Sequence, residues 1–250
     1  MAECFARHDA TFLILGPICT RRCAFCGVRQ GRPRPPDDGE PSRVASAAAL
    51  LDLRHVVITS VTRDDLFDKG AHAFAETIAE VRRKVSGATV EVLTPDFGGE
   101  RTALDRVLEA GPDCFGHNME TVPSLYAQVR PGADFKRSLG VLSRAKAFGT
   151  GLSVKSGFMV GLGESRSEIL DLIRTMRDIG VDCLTIGQYL QPGRDRMAVR
   201  EYWEPAHFEE WACFAKSIGI RYVASGPLVR SSYLARELIE GMDEHAVRTD

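Results

Sequence analysis

The sequence predicts an α/β fold in which parallel strands alternate with helices and close, fully or in part, into a barrel. Three observations carry this. Short apolar, β-branched runs such as 56–61 and 152–160 alternate with segments whose apolar residues recur every three or four positions, so the period switches from strand to helix along the chain. Strands separated by helices pair in parallel through crossovers. Finally, 250 residues of which 44% are hydrophobic can bury one full core, at a length where α/β barrels are commonly one domain.

Taken in order, the first apolar run is 11–15, followed by a cysteine-bearing loop and by 32–41, whose proline, aspartate and glycine predict an exposed loop. Ser42 is a plausible N-cap for a helix through Val44, Ala47, Ala48 and Leu51. The strand 56–61 leads through a polar turn to a helix on which Ala71, Phe74, Ala75, Ile78 and Val81 share a face. A strand at 89–93 ends at Pro95 and Gly98-Gly99. Leu104, Val107 and Leu108 mark a helix, and 113–117 the next strand. The helix 135–148, strand 152–160, helix 169–176, strand 183–187, helix 208–218 and strand 222–224 complete the series. About seven strands result, a count that does not separate an eightfold barrel from an open six-unit one. No internal repeat, low-complexity tract or linker divides the chain.

The stretch 16–27 holds Cys19, Cys23 and Cys26, spaced Cys-x3-Cys-x2-Cys. Three thiols on so short a loop converge on one centre or serve no common purpose. A structural zinc site normally closes with four ligands, and neither His8 nor His55 stands at finger-like spacing. Three ligands suit a four-iron, four-sulfur cluster with one open iron. Arg21 and Arg22, between the first two thiols, are expected to favour thiolate and offset the charge of a ligated cluster. A zinc knuckle or three unrelated thiols are the plainer readings. In barrels of this kind the loops leaving the carboxyl ends of strands build the site. That rule would gather the cysteine loop with Thr59-Ser60, Asn118 to Glu120, Gly161-Leu162-Gly163-Glu164 and Gln188.

The cysteine spacing, with the aromatic Phe25 just before the last cysteine, resembles the radical S-adenosylmethionine enzymes. The strings Ala10-Thr11-Phe12-Leu13-Ile14-Leu15-Gly16, Val57-Ile58-Thr59-Ser60-Val61 and His117-Asn118-Met119-Glu120-Thr121-Val122-Pro123 narrow the resemblance to the lipoyl synthases, as do Val129-Arg130-Pro131-Gly132-Ala133, Thr185-Ile186-Gly187-Gln188-Tyr189-Leu190-Gln191-Pro192 and Gly226-Pro227-Leu228-Val229-Arg230-Ser231-Ser232-Tyr233. The resemblance implies a partial, TIM-like (βα)6 barrel of the radical SAM type with short additions at both ends. Residues 1–250 would form one domain, with 1–10 the remnant of an auxiliary-cluster segment and 226–250 a C-terminal extension.

The same resemblance implies two sulfurs inserted at carbons six and eight of an octanoyl chain on a lysine of a carrier protein, either an E2 subunit or a glycine-cleavage H protein. Cys19, Cys23 and Cys26 would ligate the cluster that binds S-adenosylmethionine and cleaves it to a deoxyadenosyl radical, with electrons from a donor such as flavodoxin or ferredoxin. Phe25, Thr59, Ser60, Asn118, Glu120, Arg130, Gly161 and Gly163 are the cofactor-binding candidates. Glycines let backbone approach closely, an amide and a carboxylate suit the ammonium, carboxylate and hydroxyls of the cofactor, and Arg130 suits a carboxylate. Turn glycines, solvated loop residues and a surface salt bridge are their bland counterparts.

An auxiliary four-iron, four-sulfur cluster, the family's sulfur source, would take Cys4 and Ser231. The first two cysteines of the family's N-terminal triplet do not occur here, so that cluster is expected to be incompletely ligated, through a start placed too far downstream or a shortened copy able to cleave S-adenosylmethionine without sulfur transfer. Leu234 stands where the family often has histidine. Another sulfur-inserting radical enzyme and, outside enzymes, a cluster- or zinc-binding interaction module are the alternatives.

A net charge of −2, from 32 basic and 34 acidic residues, leaves no broad basic field for nucleic acid or anionic membrane. No apolar run approaches the length of a membrane span and no secretory leader is evident, so the cytoplasm is the expected location. Seven cysteines in a chain of this size fit reduced thiols better than a disulfide framework. Cys114, Cys183 and Cys213 are expected to be small buried hydrophobes.

Overall fold

Seven parallel strands form one sheet whose order follows the chain, and six helices separate them in a computed structural model that describes residues 7–149 and 151–232. The series is β1 (Asp9–Ile14), α1 (Glu40–Leu50), β2 (His55–Ser60), α2 (Ala71–Lys84), β3 (Thr89–Leu93), α3 (Arg101–Glu109), β4 (Cys114–Gly116), α4 (Phe135–Phe148), β5 (Ser153–Val160), α5 (Arg166–Asp178), β6 (Cys183–Gln188), α6 (Pro205–Ser217) and β7 (Tyr222–Gly226). Among the described residues each strand pairs only with its sequential neighbours, and β1 and β7 end the sheet without meeting. This is the expected open, partial barrel, six βα units followed by a seventh strand.

Period-two alternation divides each strand between two environments. Val56, Ile58, Val90, Val92, Phe115, Val154, Leu184 and Ile186 join the apolar faces of the helices in one continuous core. On α2 that face is Phe74, Ile78 and Val81, all fully buried. The alternate residues face the lumen in registered layers. Thr11, Val57, Glu91 and Cys114 lie side by side across β1 to β4, and Leu13, Thr59, Leu93 and Gly116 form the next layer toward the carboxyl ends.

Most element boundaries fall within three residues of expectation, and two helix starts show why they shift. Helix α1 begins at Glu40, with Gly39 at the N-cap and Pro41 in its first turn, so Ser42 is a helical residue and not the cap. Proline belongs at such a position because its missing N–H would be unsatisfied there anyway. Helix α5 begins three residues ahead of its first apolar member because Ser165 and Glu168 close a capping box. A two-residue parallel pair, Ile18–Cys19 with Arg29–Gln30, and a one-turn helix at Tyr126–Val129 carry no periodic signal and were not expected.

Candidate active site

The chain leaves β1 through two left-handed residues, Leu15 at φ 67° and Gly16 at φ 82°. Glu40 accepts the Leu15 N–H at 2.8 Å, and the buried Arg63 donates to the Leu15 carbonyl at 3.4 Å, holding the reversal. The cysteine loop is then stapled along its length. Thr20 N–H donates to the Thr62 carbonyl at 3.1 Å, Ala24 N–H to Val129 at 2.8 Å, Met197 N–H to Ala24 at 3.0 Å, and Gly31 N–H to Cys19 at 3.1 Å.

Arg21 does not serve the thiols as the sequence suggested. Its guanidinium donates twice to Asp64, at 2.8 and 2.9 Å, and once to Asp96 at 2.6 Å, tying the loop to the ends of β2 and β3. Burial alone would raise the Asp96 carboxyl, but Arg21 brings it down to about 2. Arg22 is exposed. The cations that act on the thiols are Arg130, on Cys23, and Arg196, on Cys26. Burial outweighs them and holds both thiols above their ordinary range, with Glu120 adding to the rise.

Cys19, Cys23, Phe25, Cys26, Thr59, Ser60, Asn118, Glu120 and Arg130 line one solvent-open cavity with about 700 Å³ of empty space. Loops after four strands thus converge on the carboxyl-end mouth. Glu120 is itself at a left-handed φ of 69°, fixed where its N–H donates to Gly157 and its carbonyl accepts from Met159, at 3.0 and 2.9 Å. Burial pushes its carboxyl up, against Arg130 and a hydrogen bond from Asn118. Arg130, 8% exposed, donates to the Asn118 carbonyl at 2.9 Å and to the Tyr126 hydroxyl at 2.6 Å, while among the described residues its Nε has no partner. The buried Ser60 Oγ also lacks one.

A second cavity, with about 750 Å³ of empty space, lies deeper in the lumen. It shares Thr59, Leu93, Asn118 and Glu120 with the first, reaches Thr11, Val57 and Glu91 one layer below, and is capped by 229–232. Ser231 is in this cap, its Oγ accepting from Asn118 Nδ2 at 2.6 Å. Cys4 lies outside the described residues.

Two cofactor-binding candidates stand apart from both cavities. Gly161 and Gly163 follow β5 at the same rim but line neither. A Cβ on Gly161 would come within 2.1 Å of Gln188 Nε2 and 2.4 Å of the Glu201 carbonyl, so its cradle is filled by protein. Gln188 bonds the backbone of Tyr189, Glu201 and Trp203, which makes it a strut for the loop after β6. Of the other cysteines, Cys114 and Cys183 are buried as expected, near the charged Glu91 and Lys155, whereas Cys213 is exposed.

Sequence reasoning missed the polar chain behind Arg130. Tyr126 donates to Ser138 Oγ at 2.7 Å, Ser138 lies 3.0 Å from His117 Nε2, and His117 Nδ1 lies 2.8 Å from the Thr94 carbonyl. A carbonyl only accepts, so Nδ1 carries the proton and Nε2 accepts from Ser138. Burial, with Arg130 and Arg21 nearby, lowers the imidazole to about 4. The Tyr126 to Ser138 spacing gave no hint of it.

The donor set fits a cubane and S-adenosylmethionine. Cys19, Cys23 and Cys26 line one cavity and lie near enough to raise one another's thiols, a three-thiolate set that would hold such a cluster. The unpartnered Ser60 Oγ and Arg130 Nε, beside the Glu120 carboxyl, leave polar valences for a zwitterionic ligand.

The family model of the radical SAM superfamily matches residues 13–176. The chain is 54% identical over 235 residues to a lipoyl synthase of Caldanaerobacter subterraneus subsp. tengcongensis, covering 94% of this chain and 82% of that one. It is 53% identical over 236 residues to a lipoyl synthase of Methylococcus capsulatus, covering 94% and 73%. Among solved structures, the FeFe-hydrogenase maturase HydG of Carboxydothermus hydrogenoformans superposes with a TM-score of 0.67 at 15% identity, over 95% of this chain and 66% of that one. SuiB of Streptococcus suis bound to S-adenosylmethionine superposes with a TM-score of 0.66 at 11% identity, over 89% and 52%.

Proposed function

Because the chain belongs to the lipoyl synthases of the radical SAM superfamily, we propose how its residues divide the work of inserting two sulfurs into a protein-bound octanoyl chain. It is an enzyme of the sulfurtransferase class, and its cofactors are four-iron, four-sulfur clusters and S-adenosylmethionine. Its substrate is a lipoyl-carrier protein. An E2 subunit or a glycine-cleavage H protein is our reading of that carrier, and flavodoxin or ferredoxin that of the electron donor.

When bound, the cluster and S-adenosylmethionine supply the one-electron chemistry that removes hydrogen from unactivated carbon, which no acid or base side chain achieves. Cys19, Cys23 and Cys26 hold the cluster. Cys23 and Cys26, whose thiols burial raises, would give up their protons on holding it. The Glu120 carboxyl receives the cofactor's ammonium, Arg130 its carboxylate, and Thr59 and Ser60 its hydroxyls, while Phe25 covers an apolar edge. Gly161 and Gly163 shape the loop that supports this mouth.

Ser231, capping the lumen, is our candidate auxiliary-cluster ligand together with Cys4. Residues 1–250 are read as one domain. Among the described residues no helix is long and apolar enough to cross a membrane, and six cysteines are free thiols; we place the chain in the cytoplasm on the reducing conditions such thiols need.

The convergence of the three thiols with Asn118, Glu120 and Arg130 on one cavity carries this reading. Anaerobic incubation of the iron-loaded protein with a reductant, S-adenosylmethionine and an octanoyl-lysine carrier tests it. Deoxyadenosine formed with the carrier present is expected, dithiolation of the carrier marks a complete auxiliary cluster, and bound zinc without cleavage would overturn the reading.

A further inference from the structure

We propose that the buried Glu91–Lys155 ion pair is the floor of the acyl pocket and fixes the chain length this enzyme accepts. The inference rests on the lipoyl synthase reading and deepens it. Glu91 lines the inner cavity beside Thr11 and Val57. Across the lumen, Lys155 Nζ donates to both its carboxylate oxygens, at 2.9 and 3.1 Å, and His55 Nε2 stands 3.6 Å from one of them. Glu91 and Lys155 are 1% and 2% exposed. Against burial, which raises it, Lys155 and His55 keep the Glu91 carboxyl below its ordinary value, so the floor is ionic.

Above that floor Leu93 and Met159 line the same cavity, among the polar Thr59, Asn118 and Thr185. Leu93 is two residues beyond Glu91 on β3, about 7 Å higher, and lines the cysteine cavity as well. An alkyl chain descending from the mouth passes Leu93 and Met159 before its methyl end meets the ion pair. Going further would separate two buried charges, which is strongly unfavourable. The carbons that react are six and eight, at the methyl end. Where that end stops thus sets how far below the cysteine cavity these carbons lie, and a misplacement of about 1 Å costs on the order of 100-fold in rate.

The experiment uses the iron-loaded protein and carrier peptides bearing hexanoyl, octanoyl or decanoyl lysine. Turnover is measured, and affinity of the same peptides for the iron-free protein is read by fluorescence anisotropy. Glu91→Ala with Lys155→Ala removes both charges together, so no orphan ion remains. The ratio of decanoyl to octanoyl turnover, and of their affinities, is expected to rise at least tenfold. Val57→Leu keeps the ion pair but raises the floor, and is expected to shift preference toward hexanoyl at least fivefold. It decides the question alone if the double variant does not fold by circular dichroism. Unchanged chain-length preference in the folded variants would overturn the proposal. Failure of the unaltered protein to bind or convert any acyl length would overturn the functional reading itself, and the proposal with it.

Discussion

Arg130 joins the cysteine cavity to the protein interior through a single side chain, bonded to Tyr126 and Asn118 on one side and facing the thiols on the other. A lysine keeps the charge but loses the planar fork. Arg130→Lys is expected to raise KM for S-adenosylmethionine at least tenfold in a deoxyadenosine-release assay, and an unchanged KM would remove Arg130 from cofactor binding. Behind it, His117 is held neutral in the folded protein. A base whose folded pKa of about 4 lies below its unfolded value near 6.5 adds stability that is complete above pH 6.5 and is lost as pH falls toward 4. Urea unfolding at pH 5 should therefore show about 2 kcal/mol less stability than at pH 7 from this residue. His117→Gln should flatten that slope, and an equal slope in the variant would contradict the assignment. Asp96, at about 2, adds its own loss only at lower pH, below the ordinary carboxylate range.

At the scale of elements, the strands and helices were largely legible because each lumen or core residue repeats at its own period: Val90 and Val92 against Glu91 and Leu93 on β3, Phe74, Ile78 and Val81 on α2. The cysteine loop was legible from spacing alone, and Asn118, Glu120 and Arg130 from the strings around them. What stayed hidden was set by tertiary contact. Nothing in Arg21 announces Asp64 and Asp96 as its partners, nor does Gly161 reveal that Gln188 and Glu201 fill its cradle. The Glu91–Lys155 pair joins residues 64 apart on non-adjacent strands. Gly157 shows how closely the elements approach: a Cβ there would lie 2.2 Å from Thr185 Oγ1. Gly157→Ala should lower stability by about 1–3 kcal/mol, measured by denaturant unfolding. Adding Thr185→Ala should restore part of the loss, and absence of any rescue would show that the crowding comes from backbone instead. At the start of α5, Ser165→Ala should cost about 1 kcal/mol by opening the capping box.

For the whole molecule, parallel strands direct every functional loop to one rim, and layering inside the sheet stacks two cavities beneath it. The upper one holds the thiols, the lower one runs to an ionic floor, and they share Thr59, Leu93, Asn118 and Glu120. The open edge between β1 and β7 leaves the cap at 229–232 to cover the lumen, where the Val229 carbonyl lies so near Gly187 that a Cβ would reach within 2.2 Å of it. The family resemblance supplied what spacing does not, namely that a serine in this cap is a ligand candidate. All of this chemistry depends on Cys19, Cys23 and Cys26 holding a cluster beside bound S-adenosylmethionine. The most direct measurement is deoxyadenosine release by the anaerobically iron-loaded protein and by its Cys19→Ala, Cys23→Ala and Cys26→Ala variants, with iron determined on the same samples. Each variant should lose about four irons and release no deoxyadenosine above background; full iron and undiminished release in the variants would contradict the assignment of these thiols.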